Sequence, residues 1–175
     1  FFFKQKTAYE IRNCDWSSDV CSSDLDDISI SVPEKLGYKA EYELVRKLRA
    51  SINVLGPLVA RLGKAEVALP GGDAIGSRGL DFHTRGLVEL GATVKNEHGY
   101  IIVTAENGLR GTTIELEFPS VGATENIMTA ATLAEGITVI ENAAREPDIV
   151  DIGNFLIAMG ADIKGLGTQI GRVHV

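Results

Sequence analysis

The chain has 175 residues, a formal net charge of −7 and an apolar fraction of 45%, which is enough for one buried core and too acidic for a nucleic-acid or anionic-membrane partner. Its two cysteines, Cys14 and Cys21, both fall within the first 25 residues, so the rest has no disulfide framework, thiol nucleophile or cysteine metal site. No apolar run approaches the roughly 20 residues of a membrane-spanning helix, and the composition reads as soluble and globular.

The opening segment, FFFKQKTAYEIRNCDWSSDVCSSDL (residues 1–25), differs from everything after it. It holds the only tryptophan, Trp16, and a short echo, SSDV then SSDL. A signal peptide or a disordered tail would be the ordinary readings, but Phe1, Phe2 and Phe3 lead into Lys4, Gln5 and Lys6 rather than the apolar stretch of a signal peptide. CSSDL back-translates into the end of a common sequencing adapter, and the whole segment resembles translated adapter read-through. Residues 1–25 are therefore expected to be non-native, leaving 26–175 as the protein proper. The start without Met and the strand-like ending GRVHV lead to the expectation of a fragment, whose first partner is the missing remainder of its own chain.

Past residue 25 the chain repeats itself. SINVLGPLVARLGKAEVALP (51–70) runs in step with TENIMTAATLAEGITVIENA (124–143) at an offset of 73, placing Gly63 on Gly136; LVELGATVK (87–95) matches LIAMGADIK (156–164) at an offset of 69. Each copy reads as helix, glycine stop, strand, polar loop, second helix, glycine stop, strand. In the first helix of the first copy Ile52, Val54, Leu55, Leu58, Val59 and Leu62 surround the axis, which predicts burial on most sides. The second helices are one-sided: in DIVDIGNFLIAMG, Ile149, Ile152, Phe155, Leu156 and Met159 recur at helical spacing while Asp148, Asp151 and Asn154 face away. Pro147 suits the first helical position and Gly160 the position just past the end. Strands are expected at 66–69, 100–104, 113–118 and 137–141. The sum is one incomplete α/β domain with helices both inside and outside.

Three loops stand before helices and could offer unpaired N–H groups to an anion: LRAS (48–51), PGGDAIGSR (70–78) and PSVGAT (119–124). Two carry an arginine suited to bidentate anion contacts, Arg49 and Arg78. Ser51 and Thr124, equivalent in the repeat, also suit helix N-caps. The glycine-rich loop has Ser77 where a nucleotide-hydrolase P-loop requires lysine, which argues against that chemistry. His83, His98 and His174 lack ligand spacing, so no metal or other cofactor is expected. Glu146 and Asp148 flank a helix start, where carboxylates offset the dipole. Asp73, at the tip of a loop shaped for an anion, is the unusual residue.

Taken together, LRAS, PGGDAIGSRGLDFH, SVGAT, LAEG and IENAAREPDIVD resemble the UDP-N-acetylglucosamine 1-carboxyvinyltransferases, the enolpyruvyl transferases that begin peptidoglycan precursor synthesis. The resemblance spans essentially all of 26–175. It implies a domain of repeated βαβαββ units around buried helices, with the active site between two such domains. The implied reaction moves the enolpyruvyl group of phosphoenolpyruvate onto the 3-hydroxyl of UDP-N-acetylglucosamine and releases phosphate, in the cytoplasm. By resemblance, Arg78 clamps phosphoenolpyruvate and Arg49 the nucleotide sugar or its neighbouring anions. Gly79, Leu80, Asp81 and Phe82 hold the uracil ring, and the turn Ser120, Val121, Gly122 holds the diphosphate on its N–H groups. Many relatives carry lysine just before that turn; here Phe118 and Pro119 leave backbone contacts only. Asp73 takes the place of the family's usual loop cysteine, the thiolate that fosfomycin alkylates, so fosfomycin resistance is implied. Two other readings stay open: a non-catalytic UDP-sugar-binding domain, and a related enolpyruvyl transferase such as 5-enolpyruvylshikimate-3-phosphate synthase.

The resemblance gives Asp73 a task, because a proton must reach the enol carbon where the loop tip lies. An ordinary aspartate of pKa ~3.9 is protonated only about once in a thousand at pH 7. Burial or bound anionic groups would have to raise that value.

Deleting residues 1–25 is expected to leave the melting temperature and ligand binding of the remainder unchanged. A loss of stability above ~1 kcal/mol, the scale of an ordinary point substitution, would show that the segment belongs to the fold.

Overall fold

In the computed structural model, residues 36–45, 49–69, 80–168 and 170–174 are described. The chain divides into two compact units, Phe1–Gly37 and Tyr38–Val175, and every element below belongs to the second. Its first half contains β1 (Lys39–Ala40), α1 (Tyr42–Val45), a 3-10 helix (Arg49–Val54), α2 (Leu55–Leu62), β2 (Lys64–Ala68), α3 (Asp81–Glu89), β3 (Thr93–Glu97) and β4 (Tyr100–Thr104). The second half contains β5 (Thr113–Glu115), α4 (Val121–Ala131), β6 (Ile137–Glu141), α5 (Pro147–Ala158), β7 (Asp162–Lys164) and β8 (Ile170–His174).

Each half forms a four-stranded sheet of the same plan, β1-β2-β4-β3 and β5-β6-β8-β7. The first two strands of each are parallel and the other pairings antiparallel. This is the expected βαβαββ unit, present twice. The repeat offsets survive in three dimensions, since β6 begins 73 residues after β2 and β7 begins 69 after β3. Gly63 and Gly136, aligned in the sequence, share a left-handed backbone with φ of 70° and 95°. Only glycine adopts that conformation without strain, so each first helix is turned into its strand at the same place. The β3–β4 hairpin closes through His98 and Gly99, both at positive φ, as a tight two-residue turn requires.

The core is continuous across the two halves. Leu55 and Val59 of α2, Leu87 of α3, Ile127 of α4, Val67 and Val103 of the first sheet and Ile140 and Val173 of the second are all almost fully buried. At the centre lies α4, seven of whose eleven residues are buried. A helix enclosed on nearly all sides needs small residues so that its neighbours can approach, and Ala123, Ala130 and Ala131 supply them. The neighbours are also small where it matters. At Gly56 of α2, an added Cβ would overlap the Asn126 backbone carbonyl and side-chain oxygen.

The structure departs from the sequence reading in several places, beginning with the first expected strand, 66–69, which runs instead from Lys64 to Ala68. The segment after LRAS winds first as a 3-10 helix and becomes α-helical only at Leu55, whereas the aligned residues of the second copy are α-helical throughout. Val54 and Leu62 are partly exposed rather than enclosed. The strand expected over 113–118 ends at Glu115; Leu116 still bonds Glu141 of β6 through its N–H, but Phe118 is exposed. In α5 the buried stripe is Ile149, Gly153 and Leu156, while Phe155 and Met159 lie half-exposed on its flank. Leu166 packs closely at Gly153 of that stripe, where an added Cβ would meet its side chain.

Gly56→Ala is expected to destabilise the chain by about 1–3 kcal/mol, the usual cost of overpacking, because a backbone carbonyl cannot rotate away as a side chain can. Denaturant unfolding measures this, and an unchanged midpoint would mean that α2 and α4 are not held this closely.

Candidate functional site

Two of the anion-facing loops picked out in the sequence, the one that opens at Arg49 and the one that ends at Ser120, meet the start of α3 at the first turn of α4. Its N-cap is Ser120, with extended backbone and a side chain that accepts from the Ala123 N–H at 3.4 Å. The N–H groups of a helix's first positions have no intrahelical acceptor, so Val121 and Gly122 present donors at this end. Thr124, expected as a possible cap, is instead inside the helix. Its hydroxyl donates to the Ser120 carbonyl at 2.8 Å and accepts from the Ala144 N–H at 3.1 Å, which ties the AAREP segment to α4. Ser51 likewise lies within the 3-10 helix rather than capping it.

The start of α3 lies alongside. Leu80 is its N-cap residue, Asp81 is exposed in the first turn and Phe82 packs partly buried against the core. The next residue, His83, is buried, and its ring abuts Gly122: a Cβ placed on that glycine would lie 3.2 Å from Cε1 and 3.4 Å from Nε2. The third segment is the 3-10 helix that begins at Arg49, whose Asn53 Oδ1 would lie 3.6 Å from the same Cβ. Leu80, Asp81, Phe82, Ser120, Val121 and Gly122 are thus gathered at one edge of the fold, with the Arg49 backbone in the adjoining segment. Asp73, Arg78 and Gly79 lie outside the described residues, as does the Arg49 side chain.

Three residues that sequence reading passed over knit this edge together. Asn126, fully buried, accepts from the Gly56 N–H through Oδ1 at 2.6 Å, donates to the Ile52 carbonyl at 3.1 Å and reaches His83 Nδ1 at 3.0 Å. The available signal was a polar side chain at helical spacing among Ala123, Ile127, Ala130 and Ala131. Asn53 donates to Glu125 Oε2 at 2.5 Å, while its Oδ1 is buried without a protein partner. The Glu125 carboxyl is pushed above its ordinary range, chiefly by burial; the Asn53 hydrogen bond opposes the shift, and the nearby Asp148 charge adds to it. Glu125, Asp148 and Asp151 line a shallow acidic depression with Asn154 and Phe155.

Glu146 stands at the N-cap of α5 without a side-chain cap, its carboxylate accepting instead from the Arg145 N–H at 2.8 Å. Among the described residues, no cluster of three histidine, cysteine or acidic side chains could hold a metal ion. Among them, too, no helix is long and apolar enough to cross a membrane.

The family described as EPSP synthase (3-phosphoshikimate 1-carboxyvinyltransferase) matches residues 20–174. Over 151 residues the chain is 60% identical to a UDP-N-acetylglucosamine 1-carboxyvinyltransferase of Corynebacterium jeikeium, a match covering 85% of this chain and 36% of that protein. It is 57% identical over 153 residues to the enzyme of the same name from Nocardia farcinica, covering 87% and 36%. The chain thus spans little more than a third of the length of these curated relatives. Its fold is similar to that of the enolpyruvyl transferase NikO from Streptomyces tendae, with a TM-score of 0.65 at 22% identity over 79% of this chain and 32% of that one. An EPSP synthase from Acinetobacter baumannii is also similar in fold, with a TM-score of 0.55 at 22% identity over 71% and 28%.

Because the folded pKa of Glu125 is raised, the native state holds its proton more tightly than the unfolded chain. Stability is lost as pH rises from the unfolded pKa through the folded one. Glu125→Gln is therefore expected to raise the melting temperature at pH 7, with the advantage vanishing below about pH 4, where the carboxyl is neutral in both states. An equal advantage at both pH values would assign the effect to packing.

Proposed function

We propose that the chain, which belongs to the EPSP synthase family of enolpyruvyl transferases, is part of an enzyme that transfers the enolpyruvyl group of phosphoenolpyruvate to the 3-hydroxyl of UDP-N-acetylglucosamine, releasing phosphate. The observation that carries this reading is the identity of 54–60% to relatives that all bear the name UDP-N-acetylglucosamine 1-carboxyvinyltransferase. The convergence of the α3 and α4 starts supports it, because it sets the uridine segment beside the diphosphate segment. The setting is peptidoglycan precursor synthesis in the cytoplasm, and with it cell-wall growth, shape and division. No cofactor enters the reaction.

The chemistry divides naturally among the residues. The sugar hydroxyl adds to C2 of phosphoenolpyruvate while C3 takes a proton; loss of the C3 proton from the adduct then expels phosphate and restores the double bond. Asp73 is the acid at the loop tip, Arg78 clamps the phosphoenolpyruvate anion, and Arg49 serves the nucleotide sugar or its neighbouring anions. Gly79, Leu80, Asp81 and Phe82 receive the uracil ring, in part through backbone groups. Ser120, Val121 and Gly122 hold the diphosphate on the N–H groups of the α4 start, where the helix dipole favours negative charge. Residues 1–25 take no part.

The full-length protein carrying this segment should release phosphate from phosphoenolpyruvate with UDP-N-acetylglucosamine and not with shikimate 3-phosphate, while residues 26–175 alone should release none. The reverse acceptor preference would assign the sister reaction, and binding of UDP-N-acetylglucosamine without turnover would leave a sugar-nucleotide-binding domain. In the active protein Asp73→Asn should lower turnover by about 10²-fold or more, the worth of general acid catalysis. Fosfomycin should inactivate Asp73→Cys and spare the unaltered enzyme, since a thiolate is the better nucleophile. Full activity in the Asn variant would reduce Asp73 to a loop residue.

A further inference from the structure

The polar atoms of Asn126 leave little freedom to the histidine beside them. A backbone N–H can only donate and a carbonyl can only accept. Turning the amide over would set donor against donor at Gly56 and acceptor against acceptor at Ile52. Its orientation is therefore decided by the backbone, and Nδ2 has one hydrogen engaged at Ile52 and the other directed to Nδ1 of His83, 3.0 Å away. Nδ1 must accept that bond, so the proton of the neutral ring resides on Nε2.

We propose that Asn126 is a positioning residue for nucleotide-sugar recognition: it selects the Nε2–H tautomer of His83 and holds the ring's Cε1–Nε2 edge against Gly122, setting the start of α4 relative to the start of α3. This rests on the functional reading above, in which one helix start receives the uridine and the other the diphosphate. Asn126 is fully buried and cannot touch a substrate itself. Its influence passes through two short links. His83 follows Phe82 directly on α3, and the ring contacts α4 at a glycine, where backbone rather than a flexible side chain meets it. Because the amide also grips Gly56 and Ile52, one side chain registers all three converging segments. A ring turned over would set Cδ2–H, and a doubly protonated ring Nδ1–H, against the Asn126 N–H, and either would push the two helix starts apart.

The test uses the full-length protein with nitrogen-labelled histidine. In the unaltered protein Nδ1 of His83 should show the resonance of a bare ring nitrogen and Nε2 that of a protonated one. In Asn126→Asp, which is isosteric but cannot donate, Nδ1 should gain a proton. The KM for UDP-N-acetylglucosamine should rise about tenfold, the scale of one displaced hydrogen bond, with kcat and the KM for phosphoenolpyruvate within about twofold. A protonated Nδ1 in the unaltered protein overturns the proposal, and that measurement stands even where the variant fails to fold. So does a folded variant with an unchanged KM for the nucleotide sugar, or one in which both KM values rise while kcat and the melting temperature fall, as for a purely structural residue. An unaltered protein with the Nε2–H tautomer but no turnover of UDP-N-acetylglucosamine sinks the functional reading and the recognition role with it, whereas the wrong tautomer in an active enzyme sinks this proposal alone.

Discussion

The enclosure of α4 is the constraint from which the rest of the domain follows. A helix surrounded by α2, α3 and α5 has no water to satisfy a polar side chain, and an unpaired buried amide costs as much as the hydrogen bonds it forgoes. Asn126 meets this demand by binding backbone groups of the segment that becomes α2 and the ring of a residue on α3. Thr124 does the same on the other side, joining α4 to the segment before α5. The polar positions of the buried helix thus specify which neighbour sits where, while the alanines and the glycine of α2 allow them to approach.

Duplication of one βαβαββ unit supplies this arrangement economically. Each copy brings its own sheet, with strand order and pairing sense preserved, and contributes one first helix to the shared interior. The copies are not equal in detail. The second copy's first helix is α-helical from Val121, whereas the first copy begins with the 3-10 turn that carries Arg49 and Asn53. A 3-10 segment is tighter and holds its backbone hydrogen bonds in poorer geometry, and here its Asn53 turns to Glu125 of α4.

The electrostatics of that edge sharpen the proposed division of labour. Glu125, Asp148 and Asp151 surround a depression beside it, and the chain as a whole is acidic. An anionic sugar nucleotide would gain little from such a background field. In the proposed reaction attraction must come from local donors: the free N–H groups at the start of α4 and the guanidinium groups of Arg49 and Arg78. Burial, the main cause of the raised pKa of Glu125, is also what an aspartate acid at position 73 would need in the proposed reaction.

The repeat of helix, strand, second helix and strand was legible in the amino-acid sequence because it depends on local signals that recur, glycine stops at Gly63 and Gly136, alternating strand patterns and apolar periodicity, and the family was legible through the resemblance of its motifs. Pro147 and Gly160 marked the ends of α5 for the same reason, since φ restriction and chirality act on single residues. What the sequence could not decide was anything set by contact between distant elements. The buried stripe of α5 is Ile149, Gly153 and Leu156, with Leu166 packed at Gly153, whereas Phe155 and Met159 of the expected apolar face are exposed. Thr124 resembled a cap by its position, but the hydroxyl became an internal tie once Ala144 was brought beside it. Asn126 looked like one polar residue in a small-residue helix. Its role arose only when folding placed Gly56, Ile52 and His83, between 43 and 74 residues away in the chain, around a single buried amide whose hydrogen bonds could be satisfied in one orientation.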